Sequence, residues 1–104
     1  ALMSKYTPLT ATEIESALAS LPNWFADDDV AISKTYHMPT YIAGVAFVGA
    51  IAVLAEAHNH HPDITMSWKK VTVRFSTHDA GNKITQKDVD VARAIEALGY
   101  PKPA

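Results

Sequence analysis

The chain contains no cysteine among its 104 residues, which excludes a disulfide framework, a thiolate-held metal or iron–sulfur site and a thiol nucleophile. Compartment is therefore not constrained by redox chemistry. A basic surplus is missing too: nine Lys and Arg face eleven Asp and Glu, for a net charge of −2. That balance does not suit a general binder of phosphate backbones, so no direct nucleic-acid partner is expected. No Gly-rich phosphate loop and no GxSxG elbow occurs. The longest polar-free run, 41–55, is interrupted by Gly44 and Gly49 and falls short of the roughly 20 residues that a membrane span needs. The opening Ala1-Leu2-Met3-Ser4-Lys5 lacks the apolar region of a secretory signal, so a cytoplasmic protein without a membrane partner is expected. What the chain does have is apolar material, 48% against 19% charged. That is enough for the core of one domain over residues 1–104.

Two capping boxes punctuate the sequence. Thr10 and Glu13 open a helix from about Ala11 to Ser20, with Ile14, Leu18 and Leu21 on one stripe. Thr85 and Asp88 open another that runs to about Leu98, with Val91, Ile95 and Leu98 as its core stripe and Gly99 and Pro101 as stops. Between them, Trp24-Phe25, the turn Asp27-Asp28-Asp29 and Val30, Ile32 and Tyr36 predict a first hairpin. Ile64, Met66 and Trp68, then Val71, Val73 and Phe75, alternate with polar residues as a second. From Tyr41 to about Ala57 strong helix formers carry apolar side chains on nearly every side. One face of such a helix can cover a sheet; its Ala and Gly face then needs a second subunit, or else the helix is simply central in a monomer. The order helix-strand-strand-helix-strand-strand-helix lacks strict alternation. The fold class expected is α+β, a four-stranded antiparallel sheet with three helices packed on one face.

Histidine is where chemistry concentrates. His58, His60 and His61 fall within four positions, beside Asn59 and Pro62. Imidazole titrates near neutrality and can both give and take a proton. Pro62 restricts His61 to extended backbone. A hairpin that begins near His61 and ends near His78 brings both loops to one edge of the sheet, so His60, His61 and His78 can converge. Glu56, four positions before His60, shares a face with it if the helix persists one more turn, and would orient that imidazole. A metal site of His58, His60, His61 and Asp63 is a competing reading, although its spacing matches no HExxH pattern. A surface cluster without function is another. His37, followed by Met38-Pro39, has no chemical neighbour in sequence and is read as structural.

Glu56-Ala57-His58-Asn59-His60-His61-Pro62-Asp63, with the hairpin and Thr77-His78-Asp79 after it, resembles the pterin-4a-carbinolamine dehydratases. That family includes a dimerisation cofactor of a homeodomain transcription factor, and the resemblance extends from Trp24 to about Leu98. It implies a small α+β domain acting as a hydro-lyase, which dehydrates 4a-hydroxytetrahydropterins to quinonoid dihydropterin in the recycling of tetrahydrobiopterin for aromatic amino acid hydroxylases. It implies no metal and no organic cofactor. By position, Glu56, His60, His61 and His78 become the catalytic set. Asn59, His60, His61, Ser76, Thr77, His78, Asp79 and Lys87 become the substrate-binding set. Backbone groups around Thr77 to Asp79 would read the pyrimidine edge. Paired imidazoles suit the reaction, because expelling hydroxide from C4a needs an acid and loss of a ring proton needs a base. His61 would be the acid, and His60 or His78 the base. The resemblance further implies dimers through sheet edges and tetramers through the long helix 41–55.

The chain departs from the family at three places. Lys87 stands where Arg is frequent, the loop 79–85 is one residue longer, and Met38-Pro39-Thr40-Tyr41 replaces a phenylalanine-rich entry to the long helix. A second reading is a non-enzymatic assembly module for a partner protein, such as a transcription factor, with nuclear location in that case. An intact histidine set favours the enzyme.

Overall fold

In the computed structural model of the protein, residues 6–101 are described; the opening segment 1–5 lies outside them. Thr10 caps α1, Ala11–Leu18, and its reciprocal bonds with Glu13 complete the box. The helix stops two residues earlier than the sequence suggests, with Ile14 and Leu21 buried beneath it. Strand β1 is only Phe25–Asp27, and β2 is Ala31–His37. Trp24, expected in the first strand, precedes it and is buried. Its ring packs on Phe75 and edge-on to Tyr36, where an indole contributes more than it would on an exposed three-residue strand.

Helix α2, Tyr41–His58, starts at the Thr40 cap and buries Gly44, Phe47, Ile51 and Ala55. A Cβ on Gly44 would come within 3.1 Å of the Met66 side chain, so α2 lies close on the sheet there. Its mean hydropathy of 1.7 over 18 residues would also suit a membrane span, yet in this fold its inner face is part of the core. Strands β3, Asp63–Ser67, and β4, Lys70–Phe75, form the second hairpin. Helix α3, Gln86–Ala97, follows its Thr85 cap and buries Val91 and Ile95, whereas Leu98, expected on the same stripe, is the residue that ends the helix and is exposed.

The sheet order is β1-β2-β4-β3, antiparallel throughout. Ile32, Tyr36, Val71, Val73 and Phe75 project to one face, where Ile14, Phe47, Ile51, Val91 and Ile95 from the three helices meet them. The other face is polar: the Thr35 and Thr72 hydroxyls bond at 2.9 Å, and Thr65 pairs in register with Thr72. His37 is exposed at the end of β2, opposite Lys70. The fold class and element order expected from the sequence are those observed.

At its far end α3 is tied to the sheet by Glu96. One carboxylate oxygen accepts from the Lys34 ammonium at 2.8 Å, the Trp24 indole at 3.3 Å and the Tyr36 hydroxyl. Burial by itself would raise the Glu96 carboxyl, but these donors, Lys34 first, hold it below the usual carboxylate range. A depressed folded pKa means that the stabilisation is present above the unfolded value near 4.5 and is lost as pH falls through the lower folded one. Glu96→Gln is therefore expected to lower the unfolding free energy by about 2 kcal/mol at pH 7. The gap to wild type closes toward pH 3, and denaturant titrations at the two pH values would check this; an equal gap at both would contradict the assignment.

Candidate active site

The site forms where α2 ends. Asn59 adopts a left-handed conformation at φ 49°, and the N–H groups of Asn59 and His60 donate to Glu56 and Ala55 in the pattern of a Schellman stop. This stop overturns one expectation. Because helical geometry ends at His58, His60 does not share a face with Glu56; it turns inward, and it is His61 that meets Glu56, at 2.8 Å. That pair is exposed, with 54% of the His61 side chain accessible.

His60 has the opposite surroundings. It is only 8% exposed and its ring stacks on Phe75, with planes 13° apart. Its Nε2–H donates to Asp88 Oδ1 at 2.6 Å. The fully buried Asp88 also accepts, on Oδ2, the Thr77 hydroxyl at 2.8 Å and the Thr85 N–H at 2.9 Å. With the Thr77 proton committed to Asp88, the Thr85 hydroxyl donates to Thr77 Oγ1 at 2.7 Å. Asp88, read from sequence as a cap alone, is thus a clamp on His60 from 28 positions away. Its capping-box spacing was a visible signal, while its second partner came only with the fold.

The loop after β4 is shaped by backbone bonds. Ser76 ties it to β2's start by donating to the Val30 carbonyl at 2.7 Å. The Thr77 N–H donates to Lys83, and the Thr77 carbonyl accepts from Ala80, Asn82 and Lys83. Thr77 therefore spends its own backbone inside the loop. His78–Ala80 form a short 3-10 turn closed by Gly81 at φ 75°. The Lys83 ammonium meets Asp29 at 2.9 Å, and Ile84 N–H donates to the Asp29 carbonyl, which fastens the loop to the β1–β2 turn. That ammonium holds the exposed Asp29 carboxyl below its ordinary value.

Asn59, His60, His61, Ser76, Thr77, His78, Asp79 and Lys87 all line one cavity of about 510 Å³, together with Tyr6, Pro62 and Asp63. Glu56 reaches it through His61. His58, the last residue of α2, is not part of the lining. Among the described residues no group of three or more acidic or histidine side chains is arranged to hold a metal ion. A larger groove, about 930 Å³, runs along β2 and Gly99 to Pro101. Its Lys34 and Glu96 neutralise one another, which leaves it less suited to proton transfer than the histidine cavity.

The histidine cavity thus brings together two imidazoles, each bonded to a carboxylate, and a third beside them, at the end of an α+β sheet. The sequence profile of the pterin 4 alpha carbinolamine dehydratase family matches residues 7–98, and the chain belongs to that family. A protein of Roseiflexus sp. (strain RS-1), provisionally named pterin-4-alpha-carbinolamine dehydratase, is 45% identical over 88% of this chain and 97% of its own length. One from Natronomonas pharaonis, with the same provisional name, is 43% identical over 86% and 94%. Among solved structures, a transcriptional coactivator/pterin dehydratase from Brucella melitensis superposes with a TM-score of 0.81 at 29% identity, over 88% of this chain and 98% of that one. A pterin dehydratase-like RuBisCO assembly factor of the alpha-carboxysome superposes at 0.62 and 21% identity over 75% and 90%, a likeness of fold.

The two histidine–carboxylate pairs differ in what their loss should do. Asp88→Ala strands three buried donors and is expected to cost about 3 kcal/mol of stability. Glu56→Ala removes an exposed partner and should cost under about 0.5 kcal/mol. Chemical denaturation of both variants compares them directly; equal losses would show that Asp88 is not the clamp.

Proposed function

We propose that the protein is a 4a-hydroxytetrahydropterin dehydratase that works by histidine general acid–base catalysis. The observation that carries this reading is the convergence of His60, His61 and His78, two of them carboxylate-bound, on one polar cavity in a chain of this family. In the proposed step the C4a–O bond breaks as His61 gives its proton to the departing hydroxyl, which leaves as water. A base takes the proton from a ring nitrogen, and that electron pair completes the C=N bond of the quinonoid dihydropterin. Atoms and charge balance, with one proton delivered and one removed. Exposure lets His61 recover its proton from solvent, and Glu56 fixes the ring's direction. His60 suits the base: its Nε2–H is held by Asp88, which leaves Nδ1 with a free lone pair. His78 and Asp79 take the role of wall and ligand contacts, and the flat heterocycle is the substrate class the slot accommodates. An aromatic amino acid hydroxylase is the kind of reaction that supplies such a carbinolamine.

The same reading includes self-association. Ile42 and Val53 are 71% and 68% exposed on the outer face of α2, and the space around Gly49 is open to 4 Å. A stripe of that kind suits helix-to-helix packing between copies of the chain.

Stopped-flow absorbance on a freshly generated 4a-hydroxytetrahydropterin should show saturable acceleration, reduced about 10²- to 10³-fold in kcat by His61→Ala. No acceleration by folded wild-type protein would sink the dehydratase and favour an assembly role. In light scattering, the double variant Ile42→Asp, Val53→Asp should run at the mass of one chain while wild type runs at two or four; a monomeric wild type would refute the association.

A further inference from the structure

Tyr6 and Lys87 are 81 positions apart in the chain and meet at the histidine cavity, which both of them line. The meeting is arranged by the segment ahead of α1. Leu9 packs against the core, and its N–H donates to the Ile84 carbonyl at 2.9 Å, which lays residues 6–9 beside the chain entering α3. The Lys87 ammonium then sits 4.6 Å from the centre of the Tyr6 ring and 3.5 Å from its hydroxyl. Lys87 occupies the first turn of α3, the positive end of the helix, where a cation is electrostatically disfavoured. Among the described residues no carboxylate forms an ion pair with it. Its ammonium is held instead by an aromatic face and a phenol, which offsets the repulsion without neutralising the charge. The ring itself is 43% exposed and brings an aromatic surface to a cavity otherwise lined mostly by histidines and polar groups.

We propose that Tyr6 is a ligand-binding residue of this site: its ring forms a wall on which a flat, acceptor-rich heterocycle lies, and its grip on Lys87 sets the ammonium against that heterocycle's oxygen or nitrogen edge. This rests on the pterin reading of the cavity. Tyr6 takes no part in proton transfer, so its contribution falls on binding.

The test pairs equilibrium binding of 7,8-dihydrobiopterin, a stable pterin probe, with dehydratase kinetics on wild type, Tyr6→Ala and Tyr6→Phe. Loss of one aromatic contact and of the lysine's grip should raise Kd and KM about tenfold in Tyr6→Ala, with kcat within about twofold. Tyr6→Phe keeps the ring and should recover most of the affinity. Thermal melting of Tyr6→Ala should match wild type, since the side chain is half-exposed. If wild type binds and turns over pterin and Tyr6→Ala does so equally well, or loses kcat with Kd unchanged, the role of Tyr6 is overturned and the pterin reading stands. If wild type itself neither binds nor turns over pterin, both are overturned.

Discussion

The buried carboxylate of Asp88 is the contact on which the site depends. It stands three residues into α3, where an acidic side chain satisfies the exposed N–H groups of a helix start. There it holds the Thr85 N–H with one oxygen, while the other reaches His60. With the Thr77 hydroxyl added, a single side chain joins the start of α3, the loop after β4 and the turn after α2. The histidine turn lies 28 positions from Asp88, and the contact joins it to the loop and helix start that follow the second hairpin. A buried acceptor whose donors are all satisfied is worth more than an exposed one, because none of those donors can turn to water instead.

Three elements of the fold were legible for separate reasons. The boxes at Thr10 and Thr85 are local patterns within four residues, and both form as their spacing suggests. The alternation of Val71, Val73 and Phe75 marks a half-buried strand, because a one-residue slip would move all three to the polar face. The even apolar coat of α2 marked a helix with two faces to cover. Trp24 was misplaced because its aromatic character suits a strand and a core equally, and only the Phe75 and Tyr36 rings decide between them.

The candidate site was partly legible. His60, His61 and His78 could be brought together by counting along a hairpin, since antiparallel pairing fixes which loops share an end. The partner of each imidazole could not be counted. The Glu56 pairing turns on one left-handed residue, Asn59, and a helix stop shifts by a residue on small differences in local free energy. The Asp88 and Tyr6 contacts span 28 and 81 positions and depend on how α3 docks. No periodicity in the sequence encodes that.

Helix α3 is held at both ends, by Asp88 to the histidine turn and by Glu96 to β2 and Trp24. Eight residues separate the two carboxylates, a rise of about 12 Å. Adding or deleting one residue between them would turn one end about 100° relative to the other and pull a carboxylate from its donors. Length can change in this part of the chain only where both anchors are left in register. The loop ahead of Thr85, with Gly81 and Asn82 in left-handed backbone, is such a place.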